Sequence, residues 1–332
     1  MTSRDRVINT LYKQTYQPIP TLLTFPAGIL ETRPGECRQL RERFHSDVDF
    51  LDYFYYPVAQ TPNHIDPWGC LWTETSPGRF HIVGETVLCQ NFDQLNDLRI
   101  PLSTPSAHEI ERINQYCEKN SRFVVAQIPV QPITRLLALL GKEKTYVGLR
   151  KMQKDVMTFL TRLHEVYLQE LDAWLQTDVD AICLGRHWMC DKNFIPPLRW
   201  DDIFTPLLRE YCEKIRRHDK FVYYSGIDHF EETIPSLIQA GVDVIRYDCS
   251  QIDSGTLVER YGHQVTFHAI FPTHKIPTDD LVSEVILDIR RKFQDCGLIA
   301  ECQFQADTSY RRISSSMLNW RRRIPAEIST MN

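Results

Sequence analysis

Several things are missing from this chain. No window approaches the roughly 20 consecutive apolar residues that a membrane-spanning helix needs, so an integral membrane protein is not expected. There is no CxxC pair, although the 332 residues include ten cysteines. Scattered thiols in a chain of this length read as reduced cysteines of a cytoplasmic protein, not as a disulfide framework. The N-terminal MTSRDRVINTLY carries charges early and has no apolar core segment, so a secretory signal is not expected there. Positive charge is not in excess either. A net charge of -5 and a pI near 6.1 argue against a general nucleic-acid binder, which presents a basic face. The one basic run, Arg321, Arg322 and Arg323, reads as a solvated helix end. Finally, no glycine-rich GxGxxG turn follows the first strand candidate, which removes the main signature of an open dinucleotide-binding sheet.

What is present is a regular alternation. Hydrophobic residues make up 42% of the chain, enough for a substantial core. Short apolar runs at TLLTF (21–25), within DVDFLDYFYYP (47–57), RFVVAQI (122–128), DAICLG (180–185), KFVYYSG (220–226), VDVIRYD (242–248), QVTFHAI (264–270) and LIAECQF (298–304) read as eight strands. Helical segments separate most of them, among them AHEIERINQYCEKN and a long amphipathic stretch from about 148 to 176 that includes Met152, Val156, Phe159, Leu163 and Trp174. Glycines 241 and 297 are expected to close helices. Runs without polar alternation fit strands covered on both faces, and crossover units imply parallel pairing. The expected fold is a single (β/α)8 TIM barrel spanning 1–332, with an irregular insertion, hairpin or lid, at about 58–105.

In a (β/α)8 barrel the chemistry lies at the C-terminal ends of the strands. Those ends carry Arg186 and His187, Tyr223, Tyr224 and Ser225, Asp248 and Cys249, His268, and Glu301 with Cys302. Thiolates and imidazoles clustered at one mouth, with a carboxylate beside them, suit zinc. Each residue also has a plainer role open to it. Cys249 and Cys302 suit core positions, the histidines can be hydrogen-bonded structural residues, and Asp248 can cap the following helix or pair with Arg246 or Arg186.

The opening helix SRDRVINTLY, the segment DPWGCLW (66–72), DVDAICLG followed by LRWDDIFTPLLREY, and KFVYYSG followed by IQAGVDVIRYD occur in an order that resembles the uroporphyrinogen decarboxylase superfamily. That superfamily includes cobalamin- and coenzyme M-dependent methyltransferases, and DPWGCLW is most like the methyltransferase branch. The resemblance runs over nearly the whole chain and implies a single barrel. Its functional residues transfer only in part. The arginine-bearing motif of the decarboxylases is replaced by TFPAGILETR, with only Arg33 nearby. The His-x-Cys pair of the methyltransferases is replaced by Tyr223 and Ser225, while Cys302 falls near the third ligand's place.

The resemblance implies methyl transfer to or from a small-molecule or corrinoid acceptor, with a corrinoid as methyl donor or acceptor and with zinc as a possible metal, held at a relocated site by Asp248, His268 and Cys302. Cofactor-free decarboxylation and a non-catalytic ligand- or partner-binding barrel are the alternatives. The expected catalytic residues are Asp66, His187, Tyr223 and Asp248. Trp68, Arg186, Tyr224, Ser225 and His268 are expected to bind substrate. The partners to expect are a small-molecule substrate, a corrinoid protein and a second copy in a homodimer, with neither nucleic acid nor membrane.

Overall fold

The computed structural model describes all residues except 15–17, 53–64, 77–78, 83–87, 129, 185–196, 226–230, 251, 272, 274–275, 277 and 323–332. Among them, helix α1 (Ser3–Leu11) precedes strand β1 (Thr21–Thr24), followed by α2 (Ala27–Thr32), α3 (Pro34–Arg43) and β2 (Val48–Asp52). The insertion holds an antiparallel hairpin, β3 (Trp72–Ser76) and β4 (Arg79–Ile82), and a 3-10 turn at Phe92–Asn96. Then come α4 (Ala107–Lys119), β5 (Phe123–Ile128), α5 (Pro132–Leu140), α6 (Lys142–Arg150), α7 (Lys154–Trp174), β6 (Ala181–Leu184), α8 (Pro197–Arg216) and β7 (Phe221–Ser225). The chain continues through α9 (Ile234–Ala240), β8 (Val244–Asp248), α10 (Ser254–Tyr261), β9 (Thr266–Phe271), α11 (Asp279–Lys292), β10 (Leu298–Gln303) and α12 (Tyr310–Arg321).

Eight strands form one sheet in the order β1-β10-β9-β8-β7-β6-β5-β2. The order follows the chain, as parallel crossover units require, and the result is a nearly closed (β/α)8 barrel. Every residue of β6 and of β9 is buried, which explains why these strands read as continuous apolar runs. By contact density the chain divides into two compact units. One comprises 1–49, 121–123 and 244–332; the other comprises 50–120 and 124–243.

One device recurs at the N-terminal ends of the strands. Asp47, Asp180 and Asp243 each stand at or just before the start of a strand, in SDVDF, VDAIC and VDVIR. Their carboxylates accept the backbone N–H of Thr21, Val124 and Val222, each at 2.8 Å. The side chain thereby satisfies a strand-end donor that has no ladder partner. Asp47 also accepts from Ser3 Oγ and pairs with Arg6, tying α1 to β1.

Helix starts follow local chemistry. Thr2 and Asp5 form a reciprocal capping box on α1, as do Ser106 and Glu109 on α4. Gly241 takes φ +103 after α9, a left-handed conformation that favours glycine. Gly297 does not close α11, which ends at Lys292. It stands before β10, where a Cβ would come within 2.3 Å of Thr266 Oγ1. The long amphipathic stretch expected over 148–176 is two helices. α6 ends at Arg150, Met152 takes φ +48, and Gln153 restarts the helix by accepting the N–H groups of Asp155 and Val156. Met152 is accordingly exposed and is not part of the buried stripe. Arg321 also departs from expectation. Its guanidinium donates to Thr21 Oγ1 at 3.0 Å and to the His45 carbonyl, so it ties α12 to β1.

Candidate active site

Alternation along the strands sorts the strand-end residues into two faces. Tyr247 bonds Ser254 of α10, and its ring meets Phe267, which in turn meets Phe293 just after α11. Tyr247 and Phe267 therefore point to the helices, and their neighbours Arg246 and His268 point into the barrel. Register carries this across the sheet, because Arg246 pairs with His268, Asp248 with Ile270, Ile270 with Glu301, and Thr24 with Gln303. The inner face of β8, β9, β10 and β1 thus presents Arg246 and His268 in one tier, Asp248 and Glu301 in the next, and Gln303 and Thr24 toward the strand ends.

Glu301 is the hub of this set. Arg246 grips it with two nitrogens, Nε to Oε2 at 2.7 Å and Nη2 to Oε1 at 2.8 Å. Thr24 Oγ1 and Gln303 Nε2 donate to Oε1 at 2.9 and 3.1 Å, and His268 Nε2 lies 3.3 Å from Oε2. Gln305 Nε2 donates onward to Gln303 at 3.1 Å. Burial alone would raise the carboxyl of Glu301, but the charge of Arg246 and the donors around it win and hold it well below the usual carboxylate range. His268 is fully buried, and desolvation lowers its pKa despite the carboxylate. The imidazole is therefore neutral at neutral pH.

The expected metal set does not assemble. Cys302 alternates to the outer face, beside Trp320 of α12, and burial pushes its thiol well up. His268 faces inward and is held by Glu301. The Asp248 carboxylate accepts the Ser250 N–H at 2.8 Å, which caps its own turn. Among the described residues no three His, Cys, Asp or Glu side chains are arranged to hold an ion. The residues present therefore do not fit zinc at the place the methyltransferase resemblance implies.

Other expected residues stand elsewhere. Asp66 is buried and accepts from the backbone of Trp68 and Cys70, from Trp72 Nε1 at 3.0 Å, and from Arg135 at 2.8 Å. Its carboxylate is committed to folding the DPWGC turn and is not placed as an acid or base. Trp68 is buried between Arg135 and Phe159 in that same turn. Tyr223 is fully buried with its ring edge-on to Phe50 of β2, and Ser225 shares its face of β7. Tyr224 alternates to the opposite face. Arg186 and His187 lie outside the described residues. Arg33 forms a fork to Glu36 at 2.8 and 2.6 Å and donates to the Thr308 carbonyl, so it is not a spare carboxylate anchor. Glu301 stands at an expected strand end but is not among the expected site residues. The missed signal was a glutamate inside the apolar run LIAECQ, where a charge buried on both faces must be paired.

No family model matches this chain, and no curated protein matches it. Solved structures do. A methyltransferase from Methanosarcina mazei superposes with a TM-score of 0.70 at 12% identity, covering 96% of this chain and 98% of that one. The likeness is one of fold. The YdhT protein from Bacillus subtilis matches at 10% identity and TM-score 0.49, over 94% of this chain and 85% of its own. A putative vitamin-B12 independent methionine synthase from Listeria monocytogenes matches at 12% and 0.43, over 68% and 70%. The first match is end to end and agrees with the barrel expected from the sequence. No helix among the described residues is long and apolar enough to cross a membrane.

Proposed function

We propose that this barrel is an enzyme that moves a methyl group to or from a small acceptor. The observation that carries the reading is the inward-facing set of Arg246, His268 and Glu301, buried on three adjacent strands of a barrel whose class does its chemistry at that end. Removing charges from water is costly, and apolar residues of similar volume would often serve stability as well. A function explains why they are kept. The end-to-end fold likeness to a methyltransferase supports the choice of reaction.

In this reading the neutral His268, 3.3 Å from Glu301, accepts the proton of an acceptor thiol or hydroxyl. The acceptor's lone pair forms the bond to the methyl carbon as the donor's bond to that carbon breaks, its electron pair leaving with the donor. A methyl-corrinoid, were it bound, would supply the methyl group and take that electron pair. Glu301 stabilises the imidazolium, as a carboxylate behind a histidine base does. Among the described residues, two arginines that could serve a polycarboxylate substrate are already committed, Arg33 to Glu36 and Arg246 to Glu301, which counts against uroporphyrinogen-type decarboxylation.

The test is anaerobic incubation of the purified chain with methylcobalamin and a panel of small thiols, following loss of the cobalt–carbon chromophore. Turnover above the free-solution rate is expected, and it should fall by roughly 10²-fold or more in His268→Ala. Absence of turnover across the panel, or full activity in His268→Ala, would overturn the reading.

A further inference from the structure

Outside the barrel interior, α2 and α3 border a groove of about 440 Å³ lined by Leu30, Pro34, Cys37, Arg38, Arg41, Glu42 and His45. Its volume lies in the range of small-molecule sites. The charges around it are used unevenly. Arg33 is taken by Glu36 and Arg6 by Asp47. Arg38 and Arg41 also line the groove, but neither has an ion-pair partner among the described residues. Arg41 is nonetheless held in place, its guanidinium 4.8 Å from the centroid of Phe25. Stacking leaves the N–H groups at the edge of a guanidinium free to donate.

The spacing fits one ligand. Arg38, Arg41 or Glu42, and His45 recur at three- and four-residue intervals, so they follow one face of the chain through the end of α3. Leu30, Pro34 and the buried Cys37 supply an apolar floor. The two arginines outweigh Glu42. Arginine forks match planar carboxylates and tetrahedral phosphates, pairing them bidentately.

We propose that this groove is a second site, independent of the methyl-transfer reading, for a small oxyanion carried on an apolar body. The oxyanion sits between Arg38 and Arg41 and the body lies over Leu30, Pro34 and Cys37. A phosphate monoester and an aromatic carboxylate share this chemistry.

Calorimetric titration of the full chain with phenyl phosphate, benzoate, inorganic phosphate and neutral benzamide tests it. At least one of the two aromatic anions should bind, roughly tenfold tighter than inorganic phosphate and than benzamide. Which one binds identifies the oxyanion. Binding should weaken at least about tenfold in the Arg38→Ala/Arg41→Ala double variant, tighten in Glu42→Gln, and weaken with added salt. These side chains are exposed, so thermal melts of the variants should match the parent and exclude misfolding. The proposal is overturned if neither aromatic anion binds, if the double variant binds as the parent does, or if benzamide binds as tightly as the anions.

Discussion

Glu170, on α7, offers a stability prediction whose size can be worked from the structure. Its side chain is buried at 4% exposure. Oε1 accepts the Ser103 N–H at 2.7 Å, which fastens the end of the insertion to α7, and Oε2 has no hydrogen-bond partner among the described residues. Burial raises the carboxyl from the ordinary 4.5 to about 7, and the Ser103 bond and the nearby Arg135 charge only partly oppose the shift. Folded protein therefore binds a proton between pH 4.5 and 7 that the unfolded chain releases. The contribution of Glu170 to stability therefore falls as pH rises through that window and is flat on either side. At about 1.4 kcal/mol per pH unit, the full span is roughly 3 kcal/mol.

Glu170→Gln keeps an oxygen for Ser103 and cannot ionise. Its new amide N–H is itself buried, so a constant offset between variant and parent is expected. The informative quantity is how that offset changes with pH. Urea unfolding of both proteins from pH 5 to 8 should show the variant gaining on the parent by roughly 2 to 3 kcal/mol. A difference that stays constant across the range would refute the claim that Glu170 is the buried group setting the slope.

The hub on β10 gives a second prediction. Glu301→Ala strands Arg246 in the barrel interior and should cost roughly 3 to 5 kcal/mol in chemical denaturation, whereas Glu301→Leu with Arg246→Met should recover most of that stability. A double variant as unstable as the single one would show that the pair does not act as a unit. Gln153 caps α7 through two backbone N–H groups, so Gln153→Ala should lower stability by about 1 kcal/mol, read from the denaturation midpoint.

The sequence and the structure agree most where burial dictates residue type over a whole element. β1, β5, β6, β7, β8 and β10 each lie inside an apolar run, and β9 ends one residue beyond its own; alternation could not have split these runs, because helices cover one face and the interior fills the other. Length and spacing located these strands, but neither shows which face a residue takes. That is why Cys302 was chosen over Glu301. Both sit in LIAECQ, zinc chemistry favoured the thiol, and only the aromatic contacts of Tyr247 and Phe267 with the helices decide that the even-numbered position of β10 points outward.

Asp66 was misjudged for a related reason. A carboxylate in an irregular, aromatic-rich stretch looks reactive until its four donors are seen, and three of those donors lie within six residues of it. The missing information was the backbone path of the DPWGC turn. The aspartates at 47, 180 and 243 show the opposite case. Their motif, a hydrophobic strand opening on an aspartate, is plain in the sequence three times over, and a fixed geometric role at the strand starts accounts for it. A carboxylate that recurs with the fold's own repeat is held for structure, whereas Glu301 stands within a strand, outside that repeat, among side chains that face inward. That distinction places the candidate chemistry on β8 to β10 and assigns the other acidic residues of the strand starts to the scaffold.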